Sequence, residues 1–237
     1  MRKDILDRLK KEKAGEGYKE FNKKIIPGID TGKVIGVRVP VLRSIAGELA
    51  KSDFRTYINE LPGDCMYEER MLHGMILGYA KIDWDEWCGM VRDFVPYIRD
   101  WATCDSCAMG MKLIRKHPDE GWKFLQEFLR SEGEYSCRFG IVMLLAHYVN
   151  AGNEKYIGQI LREMEKADTR RYYVMMAVAW AVSACYIRFP EATEKLLAAG
   201  KLDAVTQNNA VQKIRDSYRV SQEDKDRMLR YKAAARG

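Results

Sequence analysis

Tyr172-Tyr173-Val174-Met175-Met176-Ala177-Val178-Ala179-Trp180-Ala181-Val182-Ser183-Ala184-Cys185-Tyr186-Ile187 is the longest uncharged run in the chain, held between Arg171 and Arg188. Its sixteen residues fall short of the ~20 apolar residues that span a bilayer. The run therefore reads as a fully buried helix, capped by Asp168 and Thr169 and stopped after Phe189 by Pro190. A helix that is apolar on every side must be enclosed by others, so the rest of the chain has to supply its walls.

It does so with more helices. Val41, Leu42, Ile45 and Leu49 follow helical spacing behind Pro40, and Met71, Leu72, Met75, Ile76 and Tyr79 form the inward face predicted for a helix over Tyr67 to Ala80. Asp83 opens a helix to Phe94, Pro118 one to Leu129, Asn153 one to Lys166, Asp203 one to Asp216, and Ser221 the last. Tyr135 to Val149 reads as one helix, with Cys137, Ile141, Leu144, Leu145 and Tyr148 on its apolar side. No stretch alternates as a strand would. Helices joined by short Gly, Pro or Asp turns pack as antiparallel pairs, and pairs that cannot bury their faces alone stack into a solenoid. A compact orthogonal bundle is the alternative. A stacked array has a concave face suited to a long ligand.

Composition narrows the class further. With 47% hydrophobic and 31% charged residues over 237 positions, the chain is of the globular type and large enough for a substantial core. The net charge of +6 matters through its placement. Arg2, Lys3, Arg8, Lys10, Lys11 and Lys13 crowd one end, and Lys213, Arg215, Arg219, Lys225, Arg227 and Arg230 the other. Brought together, such ends make a phosphate-binding surface; kept apart, they are solvated helix faces. The six cysteines sit mostly in apolar runs, as small hydrophobes. No apolar segment follows the charged N-terminus, which reads as a reduced, cytoplasmic protein. Cys104 and Cys107 form a lone CxxC without a second pair, and His73, His117 and His147 are scattered, so no metal site is expected.

Arg99-Asp100-Trp101-Ala102-Thr103-Cys104-Asp105-Ser106-Cys107 holds the most chemistry. Asp100 reads as the cap of a helix on which Trp101 and Asp105, four apart, share one face. An indole face attracts positive charge, and a carboxylate beside it can do the same while holding a water. The pair suits a cationic substrate or transition state. Such pairs are common on amphipathic helices, however, and the commoner reading is a core Trp beside a surface Asp.

Three segments taken in order go beyond this pattern: Trp101-Ala-Thr-Cys-Asp105, then Arg138, then Val178-Ala179-Trp180-Ala181. With Ile35-Gly36-Val37-Arg38-Val39-Pro40 and Gln212-Lys213-Ile214-Arg215-Asp216-Ser217-Tyr218-Arg219, they resemble the AlkD-like DNA alkylation repair glycosylases, over nearly the whole chain. The resemblance implies an all-α, right-handed curved solenoid of divergent HEAT-like antiparallel helix pairs, as a single domain over 1–237. It implies hydrolysis of the N-glycosidic bond of N3- and N7-alkylated purines in double-stranded DNA, without cofactor, metal or membrane, by a monomer. In that scheme Asp105 is the catalytic carboxylate, flanked by Trp101 and Trp180. Arg138, Arg38, Lys213, Arg215 and Arg219 bind DNA, and Phe21 and Thr103 line the cleft. Met176 and Ser183 stand where many relatives carry Lys and Arg, and Phe21 where they carry a tyrosine. A non-catalytic solenoid that binds nucleic acid or protein is the alternative use of the same scaffold.

Overall fold

The computed structural model describes residues 1–233. Among the described residues there is no strand, and no helix is long and apolar enough to cross a membrane. Packing divides the chain into two compact units, Met1–His117 and a second that begins at Pro118.

The first unit contains α1 (Arg2–Lys11), α2 (Glu16–Ile25), α3 (Val39–Leu49), α4 (Phe54–Asn59), α5 (Tyr67–Tyr79), α6 (Trp84–Phe94) and α7 (Trp101–Ala108). Its centre is α5, which packs on α3, α6 and α7. Every residue of α5 from Tyr67 to Leu77 is buried, including Glu68, Glu69 and Arg70. The charged first turn is satisfied by chain far away in sequence. Glu68 accepts the backbone N–H groups of Ile35 (3.0 Å), Gly36 (2.7 Å) and Val37 (3.2 Å). Gly36 takes φ +95° to present its N–H there, a conformation that favours glycine. Glu69 accepts Arg2 at 2.8 and 3.1 Å, which ties α1 to α5. The amphipathic reading of this helix is therefore corrected: only its last turn reaches solvent. Tyr79, expected inward, is 48% exposed. α7 ends at Ala108 and is followed by a separate 3-10 turn at Lys112–Lys116.

The second unit contains α8 (Pro118–Leu129), α9 (Glu134–Leu144), α10 (Ile157–Lys166), α11 (Tyr172–Arg188), α12 (Pro190–Ala199), α13 (Ala204–Asp216) and α14 (Gln222–Arg227). As its uncharged sequence required, α11 is the core, packed against α9, α10, α12 and α13. The chain from α9 continues through a π turn at Leu145–Val149, so the stretch read as one helix changes pitch at Leu145. Asp168 and Thr169 do not cap α11. Asp168 binds the Arg170 guanidinium, and the Thr169 hydroxyl donates to Asp203. Asn153 makes no side-chain cap either, and a 3-10 turn precedes α10.

Three helices open with one local device. Asp53, Asp100 and Asp203 each accept the backbone N–H of the threonine three residues on, and that threonine's hydroxyl returns to the same carboxylate. Such a cap satisfies a backbone donor that the helix cannot. All six cysteines are free and buried.

Gly74 marks the tightest approach of α5 to its neighbours. A Cβ there would meet Phe94 Cζ at 2.3 Å and Cys107 Sγ at 2.5 Å. Gly74→Ala is expected to lower stability by about 1–3 kcal/mol through overpacking. Gly89→Ala, where a Cβ meets nothing within 4 Å, is expected to raise it by about 0.5 kcal/mol or more. Urea unfolding of the two variants checks the pair. His73, beside Gly74, lies between the Phe94 and Tyr97 rings with neither ring nitrogen hydrogen-bonded. Burial pushes its pKa down from 6.5 to about 4. The unfolded chain takes up a proton that folded His73 refuses, so stability present above pH 6.5 is lost between about 6.5 and 4 and then levels off. The loss is on the order of 3 kcal/mol. Thermal unfolding across that range should show it, and His73→Phe should flatten it.

Candidate functional site

In the first unit the site is built on α7. The Asp100 carboxylate is buried and accepts the Thr103 N–H at 2.7 Å and its hydroxyl at 2.9 Å. Burial pushes this carboxyl above its usual range, opposed by the Thr103 hydrogen bonds and the Arg70 charge. Thr103 is fully buried. It was expected to line the cleft; it instead holds the cap beneath the surface.

That cap fixes the residue after it. The Trp101 indole Nε1–H donates to the Ile25 carbonyl at 2.9 Å, joining the start of α7 to the end of α2. Trp101 and Asp105 are both half-buried on the same side of α7, and Met109, one turn further, is exposed. The Trp/Asp pair thus lies on the solvent-facing side of a short helix whose other residues, Ser106 excepted, are core. This excludes a purely internal Trp101. Along α2, Phe21 is 50% exposed and stacks on Tyr18, with ring centroids 6.0 Å apart. The exposed Arg38 places its guanidinium 6.0 Å from the Tyr18 ring centroid. Phe21 and Arg38 are therefore brought together through Tyr18, a residue the sequence reading passed over.

In the second unit the site is the outer stripe of α11. Tyr172 is 59% exposed, and Met176 and Trp180 are half-buried. These three recur every four residues, as one face of a helix does. The apolar run hid this stripe, because an exposed Tyr or Trp looks like core among Val and Ala. The one usable signal was the four-residue spacing of the large residues. Ser183 is buried. Arg138, on α9, is 6% exposed and donates to the Tyr173 carbonyl at 2.9 Å. Tyr173 lies against Tyr135 at 5.3 Å. Arg138 thus carries its positive charge just below an aromatic surface made of Tyr135, Tyr172 and Tyr173, none of which the sequence reading selected.

The remaining basic candidates follow α13. Lys213 and Arg215 are half-buried on it, and Arg215 Nε donates to the Lys225 carbonyl at 3.2 Å. Arg219, beyond the helix, is exposed with its guanidinium 5.5 Å from the Tyr218 ring. Arg219 is open to a phosphate, and Arg215 shares its donors with the backbone. Among the described residues no group of three or more His, Cys, Asp or Glu side chains could hold a metal ion. The Cys104 and Cys107 thiols are buried and face the core.

Both surfaces therefore carry aromatic faces and cations, and one carries a carboxylate. Against known proteins, a family model described as DNA alkylation repair enzyme matches residues 3–216. No curated protein matches the chain, and neither does any solved structure.

The Asp100 cap sets where Trp101 sits. Asp100→Ala is expected to lower stability by about 1–2 kcal/mol, whereas Asp100→Asn, which keeps an accepting oxygen, stays within about 0.5 kcal/mol of wild type. Thermal unfolding of both variants, with Trp101 fluorescence as a second readout, tests the assignment.

Proposed function

Because the chain belongs to the DNA alkylation repair enzyme family, we propose that it removes cationic N3- and N7-alkylpurines from duplex DNA by hydrolysing the N-glycosidic bond. The observation that carries this reading is the placement of Asp105 one turn after Trp101, on the solvent-facing stripe of α7. Both units act together as one functional domain in this reading, since the family match spans both.

The chemistry asks little of the protein at the leaving group. An N7- or N3-alkylated purine carries a positive charge, and it becomes neutral when the bonding pair leaves with it. No general acid is needed. The deficit appears on the sugar, which gains oxocarbenium character as C1′–N breaks. The Asp105 carboxylate stabilises that charge and orients the water whose oxygen forms the new bond to C1′. The proton released by that water passes to the carboxylate and on to solvent. The products are an abasic sugar and the free alkylated base. Trp101 adds the negative face of its ring beside the same charge, and its hydrogen bond to Ile25 holds the ring in place. Trp180 has the same role on the α11 stripe.

Phosphate binding belongs to Arg38, Lys213, Arg215 and Arg219. Arg38 and Arg219 are exposed beside tyrosine rings, so each joins a cation to an apolar ledge. Arg138 adds charge beneath the surface. Met176 and Ser183 contribute no charge, so affinity on this stripe rests on the aromatic side chains. Phe21 packs where a hydroxyl would add only a hydrogen bond. The protein works as a monomer in this reading, because a surface that follows a duplex must stay uncovered.

Asp105→Asn keeps the shape of the side chain and removes its charge. Base release from DNA methylated at N7 of guanine and N3 of adenine should fall roughly 10²–10³-fold, with duplex binding retained. Wild-type-like release by the variant would remove Asp105 from the mechanism. No release by the wild-type protein would overturn the hydrolytic reading.

A further inference from the structure

Two adjoining hollows run across α3, α5 and α7 in the first unit. One, of about 730 Å³, is lined by Arg43, Lys51, Tyr79 and Lys81 among others. The second, of about 330 Å³, shares Arg43 and Tyr79 and adds Ser106, Met109 and Lys112. Together they form one groove that reaches α7 at Ser106, next to Asp105 in the chain, and includes neither Trp101 nor Asp105 in its lining.

Its electrostatics are lopsided. Arg43, Lys51, Lys81 and Lys112 are all exposed, and none forms an ion pair among the described residues. The one carboxylate in the lining, Glu48, is held by the Arg8 guanidinium at 2.6 and 2.9 Å. A hollow of about 570 Å³ in the second unit makes the contrast. Its Arg130 and Lys166 face Glu163 at 3.9 and 3.8 Å, and its Arg170 and Arg171 face Asp168 at 2.7 and 3.5 Å. With Glu132, Glu163 and Asp168 against four cations, that hollow is largely neutralised by its own lining. The groove on α3, α5 and α7 keeps four positive charges for a ligand.

The wall between those charges is apolar. Tyr79 is 48% exposed and Met109 42%, and Tyr79 stacks on no other ring among the described residues. An exposed aromatic face ringed by cations matches a chain of phosphates carrying flat, stackable groups. The inner bases of a duplex offer only their edges, because their faces are covered by neighbouring pairs. A base face is available in an unpaired strand. We propose that the groove on α3, α5 and α7 binds an unpaired polynucleotide strand, with a base stacked on Tyr79 and phosphates held by Arg43, Lys51, Lys81 and Lys112. This site is separate from the hydrolytic one and does not depend on the role given to Asp105.

The test is fluorescence polarisation with a labelled eight-nucleotide oligothymidine, beside a fully paired hairpin, over a salt series. Wild type should bind the oligothymidine with an affinity that falls as salt rises. Tyr79→Ala should weaken that binding roughly tenfold, and Tyr79→Phe should restore it. Arg43→Gln with Lys112→Gln should lower the salt slope by about one per charge removed. Hairpin binding and base release from methylated duplex should change less than about twofold in Tyr79→Ala. Three results would each overturn the proposal: no binding of the oligothymidine by wild type, an equal loss on hairpin and oligothymidine in Tyr79→Ala, or displacement of the oligothymidine by an equal concentration of poly-glutamate. Absence of base release by wild type with oligothymidine binding intact would instead overturn the hydrolytic reading alone.

Discussion

A buried carboxylate organises the first unit. Glu68 has no exposed surface, and it is tolerated there because three successive backbone N–H groups converge on it. An ionised carboxylate in an apolar interior is costly unless it is fully hydrogen-bonded. The carboxylate and the loop at Ile35 to Val37 therefore require each other. Glu69 does the same for α1 through Arg2. Two adjacent acids on the first turn of α5 thus hold the N-terminal helix and the loop that leads into Arg38 and α3. Without them Arg38, next along the chain from Val37, has no fixed position beside Tyr18.

Both candidate surfaces use the same construction. A helix buried on most sides exposes a single stripe, and large side chains occupy it at four-residue spacing: Trp101, Asp105 and Met109 on α7 with the turn after it, and Tyr172, Met176 and Trp180 on α11. A stripe on a packed helix is held more rigidly than a loop. Its side chains can meet a developing charge without reorganising, which is the condition for electrostatic stabilisation of a transition state. The cap from Asp100 to Thr103 and the bond from Trp101 to Ile25 are the parts that set its position.

What could be read from the sequence follows the range of the interactions involved. The all-helical class, the buried Tyr172 helix and the caps at Asp83, Asp100, Asp203 and Ser221 depend on neighbours a few residues away, so their signals are local. The pair Trp101 and Asp105 is legible for the same reason. Glu68, Glu69 and Arg70 look like a solvated turn in sequence; partners more than thirty residues away make Glu68 and Glu69 core, and Arg70 turns back onto the Cys65 carbonyl. Tyr79 has the spacing of the inward face but falls in the last turn, past the neighbours that bury the rest of α5. Thr103 sits inside the motif that suggested the site, yet it belongs to the cap. Asp168 and Thr169 are good capping types placed before the right helix, but Arg170 and Asp203 compete for their oxygens. Where the family match spans nearly the whole chain, the distant contacts are the ones that one sequence could not specify.

The buried cysteines have a chemical consequence of their own. Methylating and other alkylating electrophiles react with soft nucleophiles, and the form of cysteine they attack is the thiolate. Burial pushes the Cys185 thiol up to about 12 and raises Cys65, Cys107 and Cys137 as well. All six sulfurs are withdrawn from solvent. Packing thus favours the unreactive, protonated form at Cys65, Cys107, Cys137 and Cys185, so the helices that bury these thiols also shield them from the class of reagent whose damage to DNA the family repairs.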